Sequence, residues 1–138
     1  MHSIKVKEYM DPQAVTFTKT MSLTAALDKV IKSGRMGGPV INEHREVIGF
    51  ISEQDLLERL VKVLYHSQDT HIVDDCMYRD VLTVSPELPI LELAQMMKVN
   101  KPKVYPVVDN GKLVGIISRA DVMKAVSNML NEVFSHPV

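Results

Sequence analysis

The sequence predicts an α/β (α+β) fold of two pseudo-symmetric β-α-β-β-α repeats, each a small mixed sheet covered by two helices. Three observations carry this: an internal repeat, short β-prone runs alternating with helix-period apolar stripes, and one strong hairpin turn. Shifting the 138-residue chain by 67 positions pairs Val6 with Val73, Met10 with Met77, Thr16 with Thr83, Pro39 with Pro106 and Val40 with Val107. A shift of 66 then pairs Gly49 with Gly115, Ile51 with Ile117, Ser52 with Ser118 and Asp55 with Asp121. The single deletion separates the stretch from Asn42 to Glu46 from that between Asp109 and Lys112. Both are polar and turn-like, so a change of length is tolerated there. The repeat sets the expected division into a first motif over residues 1–68 and a second over 69–138. The two are expected to form one module, because a lone motif of about 60 residues would be marginal.

Each half reads in the same order. Ala14-Val15-Thr16-Phe17 and Val81-Leu82-Thr83-Val84 are short β-prone runs. Leu23, Ala26, Leu27, Val30 and Ile31 then fall at helical spacing, as do Ile90, Leu93, Ala94 and Met97. Pro39-Val40-Ile41 and Pro106-Val107-Val108 open the second strand, and the runs from Val47 to Ile51 and from Leu113 to Ile117 form the third. Asp109-Asn110-Gly111 between two apolar runs is a hairpin signal, because Asn and Gly accept the positive φ that such turns need. Each half closes on a helix, with stripes of Leu56, Leu57, Leu60, Val61 and Leu64, and of Val122, Met123, Val126, Met129, Leu130, Val133 and Phe134. Met96, Met97, Met123 and Met129 are expected as core filler. Residues 65–72 are polar enough to link the halves.

Composition narrows the function classes. Apolar residues make up 46% and charged residues 24%, which argues for a packed domain and against disorder. The net charge is -1, with +1 on the first 68 residues and -2 on the rest, so neither half carries the basic excess of a nonspecific nucleic-acid binder. The longest uncharged run, Thr20 to Leu27, is far short of the ~20 residues that span a bilayer. The beginning Met-His-Ser-Ile-Lys-Val-Lys-Glu has no apolar signal core, and Cys76 is the single cysteine; both predict a cytoplasmic protein.

The paired segments Gly49-Phe50-Ile51-Ser52-Glu53-Gln54-Asp55 and Gly115-Ile116-Ile117-Ser118-Arg119-Ala120-Asp121, each following a Pro-Val strand, resemble the tandem cystathionine β-synthase (CBS) domain family, the Bateman module. The resemblance spans residues 6–134. It implies a stand-alone regulatory module that binds an adenosine-type ligand (AMP, ATP or S-adenosylmethionine) in clefts between its repeats and signals to a partner protein whose identity the sequence does not indicate. It also implies a flat homodimer. Carried over residue by residue, it sets adenine against Thr16 or Thr83 and the residues around each Pro-Val: Met36, Gly37, Gly38 and Pro39, or Lys103, Val104, Tyr105 and Pro106.

The Ser-x-x-Asp chemistry follows from the residues themselves. Ser52 and Ser118 stand where a strand turns into a helix, so open backbone N–H groups and the positive helix end favour a phosphate there. Asp55 and Asp121 lie one turn further on, and a carboxylate accepts hydrogen bonds from both hydroxyls of a ribose. The same pattern is a helix capping box, which needs no ligand, and the two roles are compatible. The second copy is the preferred site. Lys103 and Arg119 are placed to face a phosphate and Tyr105 to line a base, whereas the first copy has Glu53 in place of Arg119. Gly37-Gly38 there either opens space or marks a strained strand start.

His66, Asp69, His71, Asp74, Asp75 and Cys76 cluster in sequence, but their spacing fits no strong metal pattern, so no metal and no cofactor is expected. Cys76 reads as an inert thiol. With no nucleophile-and-base constellation and no Gly-rich phosphate loop, no enzyme is expected. The alternative to a sensor is a ligand-free dimerisation or assembly module with degenerate sites.

Overall fold

The computed structural model describes residues 3–66 and 71–134; the middle of the expected linker, 67–70, lies outside them. Among the described residues the order is α1 (Leu23–Ser33), β1 (Gly37–Ile41), β2 (Val47–Ser52), α2 (Glu53–His66), α3 (Ile90–Met96), β3 (Val104–Asp109), β4 (Lys112–Ser118) and α4 (Arg119–Val133), with short 3-10 turns at Val6–Glu8 and Val73–Asp75. The repeat is therefore present in three dimensions, as two antiparallel strand pairs, β1-β2 and β3-β4, and four helices.

Local chemistry accounts for the element ends. Ser22 caps α1 by accepting the Ala25 N–H at 3.1 Å, and Gly34, at φ 67°, ends it with its N–H on the Val30 carbonyl. The β3-β4 turn places Asn110 at φ 50° and Gly111 at φ 77°, as the hairpin signal predicts.

One expectation needs correction. The runs 14–17 and 81–84 do not form strands; each contributes a single parallel bridge, Phe17 to Val40 and Val84 to Val107. Phe17 donates its N–H to the Pro39 carbonyl and accepts from Ile41; Val84 does the same with Pro106 and Val108. Each run is β-prone for too short a distance to propagate a ladder. The sheets are mixed only through these bridges.

The chain packs as two compact units that do not coincide with its two halves. One unit takes the chain up to Gln13 with Thr83–Asp109 and from Val114 onward; the other takes Ala14–Leu82 with Asn110–Leu113. In the former, Val6 is fully buried among Ile90, Leu93, Tyr105, Val107, Ile117 and Val122. In the latter, Val73 is fully buried among Phe17, Leu23, Ala26, Val40, Ile51 and Leu56. The backbone bonds that seat these turns match under the repeat. Val6 N–H donates to Leu88 O and Lys7 N–H to Pro86 O, while Val73 N–H donates to Met21 O and Asp74 N–H to Lys19 O. Each repeat thus carries at its start the turn that completes the core of the other. Lys5 and Lys7 both reach Glu87, at 2.7 and 2.9 Å, and their hydrogen bonds hold its carboxyl down to about 2.

The closing helices bury less than their stripes predict. Leu56 on α2 and Val122 and Ala125 on α4 are buried, whereas Leu57, Val61, Leu64, Met123, Leu130, Val133 and Phe134 are exposed. Met96 is exposed as well and Met97 and Met129 are half-buried, so the methionines are not core filler throughout.

Candidate functional site

In the unit holding the second repeat, backbone bonds gather most of the expected site. Thr83 is exposed and adjoins Val84, whose N–H donates to the Pro106 carbonyl at 3.0 Å. Arg119, the first residue of α4, donates its N–H to the Lys103 carbonyl at 2.8 Å, which sets these two residues side by side. Ser118 and Asp121 form a full capping box. The Asp121 N–H donates to Ser118 Oγ at 3.2 Å, while Asp121 Oδ2 accepts from the Ser118 N–H at 2.9 Å and its hydroxyl at 3.0 Å. Oδ1 of Asp121 takes no hydrogen bond among the described residues, so capping consumes one carboxylate oxygen and leaves the other. Lys103 and Arg119 are exposed and make no ion pair among the described residues. Val104 is half-buried and Pro106 buried.

Tyr105 is placed differently from the expectation that it lines a base. Its ring is fully buried in the core, its hydroxyl has no hydrogen-bond partner among the described residues, and burial pushes its pKa up. The reason lies in the repeat. Its counterpart is Gly38, and an added Cβ there would stand 3.1 Å from Phe17 Cε2. The first repeat fills its core with Phe17 opposite a glycine, the second with Tyr105 opposite the smaller Val84. The large aromatic thus stands on the bridging run in the first repeat and on β3 in the second.

In the other unit, Gly37 and Gly38 do not open space. A Cβ at Gly37 would lie 2.1 Å from the Ile51 carbonyl oxygen, and one at Gly38 2.3 Å from that of Val15. Gly37 has φ 133°, a conformation that L side chains rarely adopt, so the strand start is one that a larger residue enters only under strain. Glu53 N–H donates to the carbonyl of Met36, which is exposed, and Pro39 is buried. Ser52 Oγ accepts the Asp55 N–H at 3.1 Å, but the reciprocal carboxylate bond of the second copy is absent among the described residues. Lys29 donates its ammonium to the Thr16 carbonyl and sits 5.4 Å from the centre of the Phe17 ring.

Asp55 also lines a polar cleft of about 220 Å³ with Glu58, Arg59, Lys62, Asp75 and Cys76. Arg59 and Lys62 were not expected there. The signal was their spacing from Asp55 on α2, one and two turns on, but nothing local tells a cleft from solvent. The Arg59 guanidinium is held by the Asp75 carbonyl at 3.0 Å and approaches His71 Nδ1 at 3.4 Å. Cys76 is half-buried and burial pushes its thiol pKa up, which lowers its thiolate fraction. Among the described residues no group of His, Cys, Asp and Glu is arranged to hold a metal ion, and Asp69 lies outside them. No described helix is long and apolar enough to cross a membrane.

A two-repeat α+β chain with a Ser-x-x-Asp cap closing each sheet defines a class, and sequence comparison names it. The CBS domain profile matches residues 6–62 and 73–128, so the chain belongs to the CBS domain family and carries two copies. The solved acetoin utilization protein AcuB of Vibrio cholerae, a putative assignment, is 26% identical and superposes with a TM-score of 0.83 over 99% of this chain and 100% of its own. CBSX2 of Arabidopsis thaliana, solved in complex with AMP, is 27% identical with a TM-score of 0.77 over 91% and 97%. An uncharacterised protein of Methanocaldococcus jannaschii is 27% identical over 89% of this chain, which spans only 43% of that protein's length.

Proposed function

We propose that the chain is a regulatory CBS pair whose second copy binds an adenine nucleotide and passes the change to a partner protein. Adenine lies against Thr83 and the backbone of Lys103 and Val104, and the ribose hydroxyls donate to Asp121. The phosphate meets Lys103, Arg119 and the open N–H groups of α4. The observation that carries this reading is Asp121, with one oxygen in the cap and the other free, on the helix whose first residue, Arg119, is backbone-bonded to Lys103. The CBSX2 complex with AMP supports the ligand class.

Charge selects among adenosine ligands. Within residues 98–103 and 119–121 the second copy carries Lys98, Lys101, Lys103 and Arg119, all exposed, against the carboxylate of Asp121. The corresponding stretch of the first copy balances Lys32 and Arg35 against Glu53 and Asp55. A phosphate is therefore favoured over the sulfonium of S-adenosylmethionine. Thermal unfolding with AMP, ATP, adenosine and S-adenosylmethionine tests this: AMP or ATP at 100 times its Kd adds about 2.7 kcal/mol. The gain weakens with salt, and S-adenosylmethionine gives less. No shift with any of the four favours the assembly module instead.

The regulatory reading includes self-association. The apolar residues that α2 and α4 leave exposed, Leu57, Val61 and Leu64 on one and Met123, Leu130, Val133 and Phe134 on the other, are more than a lone chain is expected to leave in water. On α4, Met123 and Leu130 line a cleft of about 380 Å³ with Ala94, Met97 and Val126. Sedimentation at micromolar concentration is expected to give twice the 15.5 kDa chain mass; a monomer refutes the homodimer.

A further inference from the structure

We propose that Lys29 holds the first copy closed, and so decides that the chain takes one adenosine ligand rather than two. This rests on the adenosine reading above. The Phe17–Gly38 and Val84–Tyr105 exchange is a matter of core filling, and both copies keep the elements an adenosine would meet: a threonine beside the bridge, the backbone before Pro-Val, and Ser-x-x-Asp. They differ at the threonine carbonyl. The exocyclic amine of adenine is a donor and needs an acceptor where the resemblance sets the base. Thr83 offers one, for its carbonyl takes no hydrogen bond among the described residues. The Thr16 carbonyl is already occupied by the Lys29 ammonium, which also sits over the Phe17 ring. The counterpart of Lys29 under the repeat is Met96, which has no donor to give.

An adenine amine entering the first copy must therefore share the Thr16 carbonyl with a cation or displace a charge-assisted hydrogen bond and re-solvate a half-buried ammonium. Such a bond corresponds to roughly 10- to 150-fold in affinity. Charge near the phosphate is a separate matter: Glu53 stands where the second copy has Arg119, so a phosphate-free ligand isolates the effect of Lys29.

Adenosine is accordingly the probe, and calorimetric stoichiometry on the full chain the readout. The wild type is expected to bind one adenosine per chain, and Lys29→Met two. Lys29→Arg, which keeps a cation in place, is expected to stay at one, and the double variant Lys29→Met with Asp55→Asn to return to one. Two sites in the wild type, or one in a Lys29→Met chain that melts as the wild type does, overturns the inference while leaving the adenosine reading intact. A single site that appears only with Lys29→Met supports the inference and overturns the assignment of the ligand to the second copy. Binding to neither chain overturns both.

Discussion

Gly37→Ala is expected to destabilise the chain by about 2–6 kcal/mol, a large part of the 5–15 kcal/mol typical of a domain. Two costs add. An alanine Cβ would stand 2.1 Å from the Ile51 carbonyl oxygen and 2.9 Å from the Ser52 Cα, and both are backbone atoms that no rotamer change can move aside. Overpacking of this kind costs about 1–3 kcal/mol. The φ of 133° is a conformation that L side chains rarely adopt, at about 1–3 kcal/mol more. Relief by moving β1 is opposed by its hydrogen bonds to Phe17 on the side away from β2. Gly34→Ala is the control. That residue also has positive φ, 67°, but nothing lies within 4 Å of its Cβ, so about 1–2 kcal/mol is expected. Urea unfolding of the two variants separates them. A Gly37→Ala midpoint no lower than that of Gly34→Ala shows that the strand start has room after all.

The repeat was legible because it lies in residue identity at a fixed shift, and the caps and hairpin because their chemistry is local. Ser22, Gly34, Asn110 and Gly111 act within one turn of chain, so a window of sequence contains their cause. The reciprocal seating of the Val6 and Val73 turns was not legible. A 67-residue shift maps one turn onto the other whether each joins its own repeat or exchanges with its twin. Glycine offered a trace of it. A Cβ at Gly49 would meet Met77 Sδ at 2.6 Å and one at Gly115 would meet Met10 Sδ at 2.9 Å, so both glycines clear a path for the segment that follows the exchanged turn. Tyr105 was misread for a related reason. An aromatic before Pro-Val looks available to a base until the bridge residue Val84, where the first repeat has Phe17, is seen to be too small to fill the core that Tyr105 enters instead. Lys29 was invisible, because only packing shows that its ammonium returns to a carbonyl 13 residues earlier.

Asp121→Asn is expected to weaken adenine nucleotide binding about 10- to 150-fold while leaving the fold nearly unchanged. The cap survives because the carboxamide oxygen accepts the Ser118 N–H and hydroxyl as Oδ2 does, at 2.9 and 3.0 Å in the native chain. Ser118 Oγ continues to accept the N–H of residue 121. What is lost at the helix is the negative charge in its first turn, about 0.3–1 kcal/mol. At the ligand the loss is larger. The free oxygen becomes an NH₂ group, a donor set against ribose hydroxyls that must themselves donate, so a charge-assisted acceptor is exchanged for a mismatch. Asp55→Asn removes the same first-turn charge from α2, where Ser52 caps without the reciprocal carboxylate bond, and is expected to leave AMP affinity within about threefold. Calorimetry with AMP on both variants, with melting temperatures as the fold control, reads the two effects apart. Tight AMP binding that survives Asp121→Asn would reduce the second Ser-x-x-Asp to a helix cap. An equal loss in both variants would instead place the ribose contact in both copies.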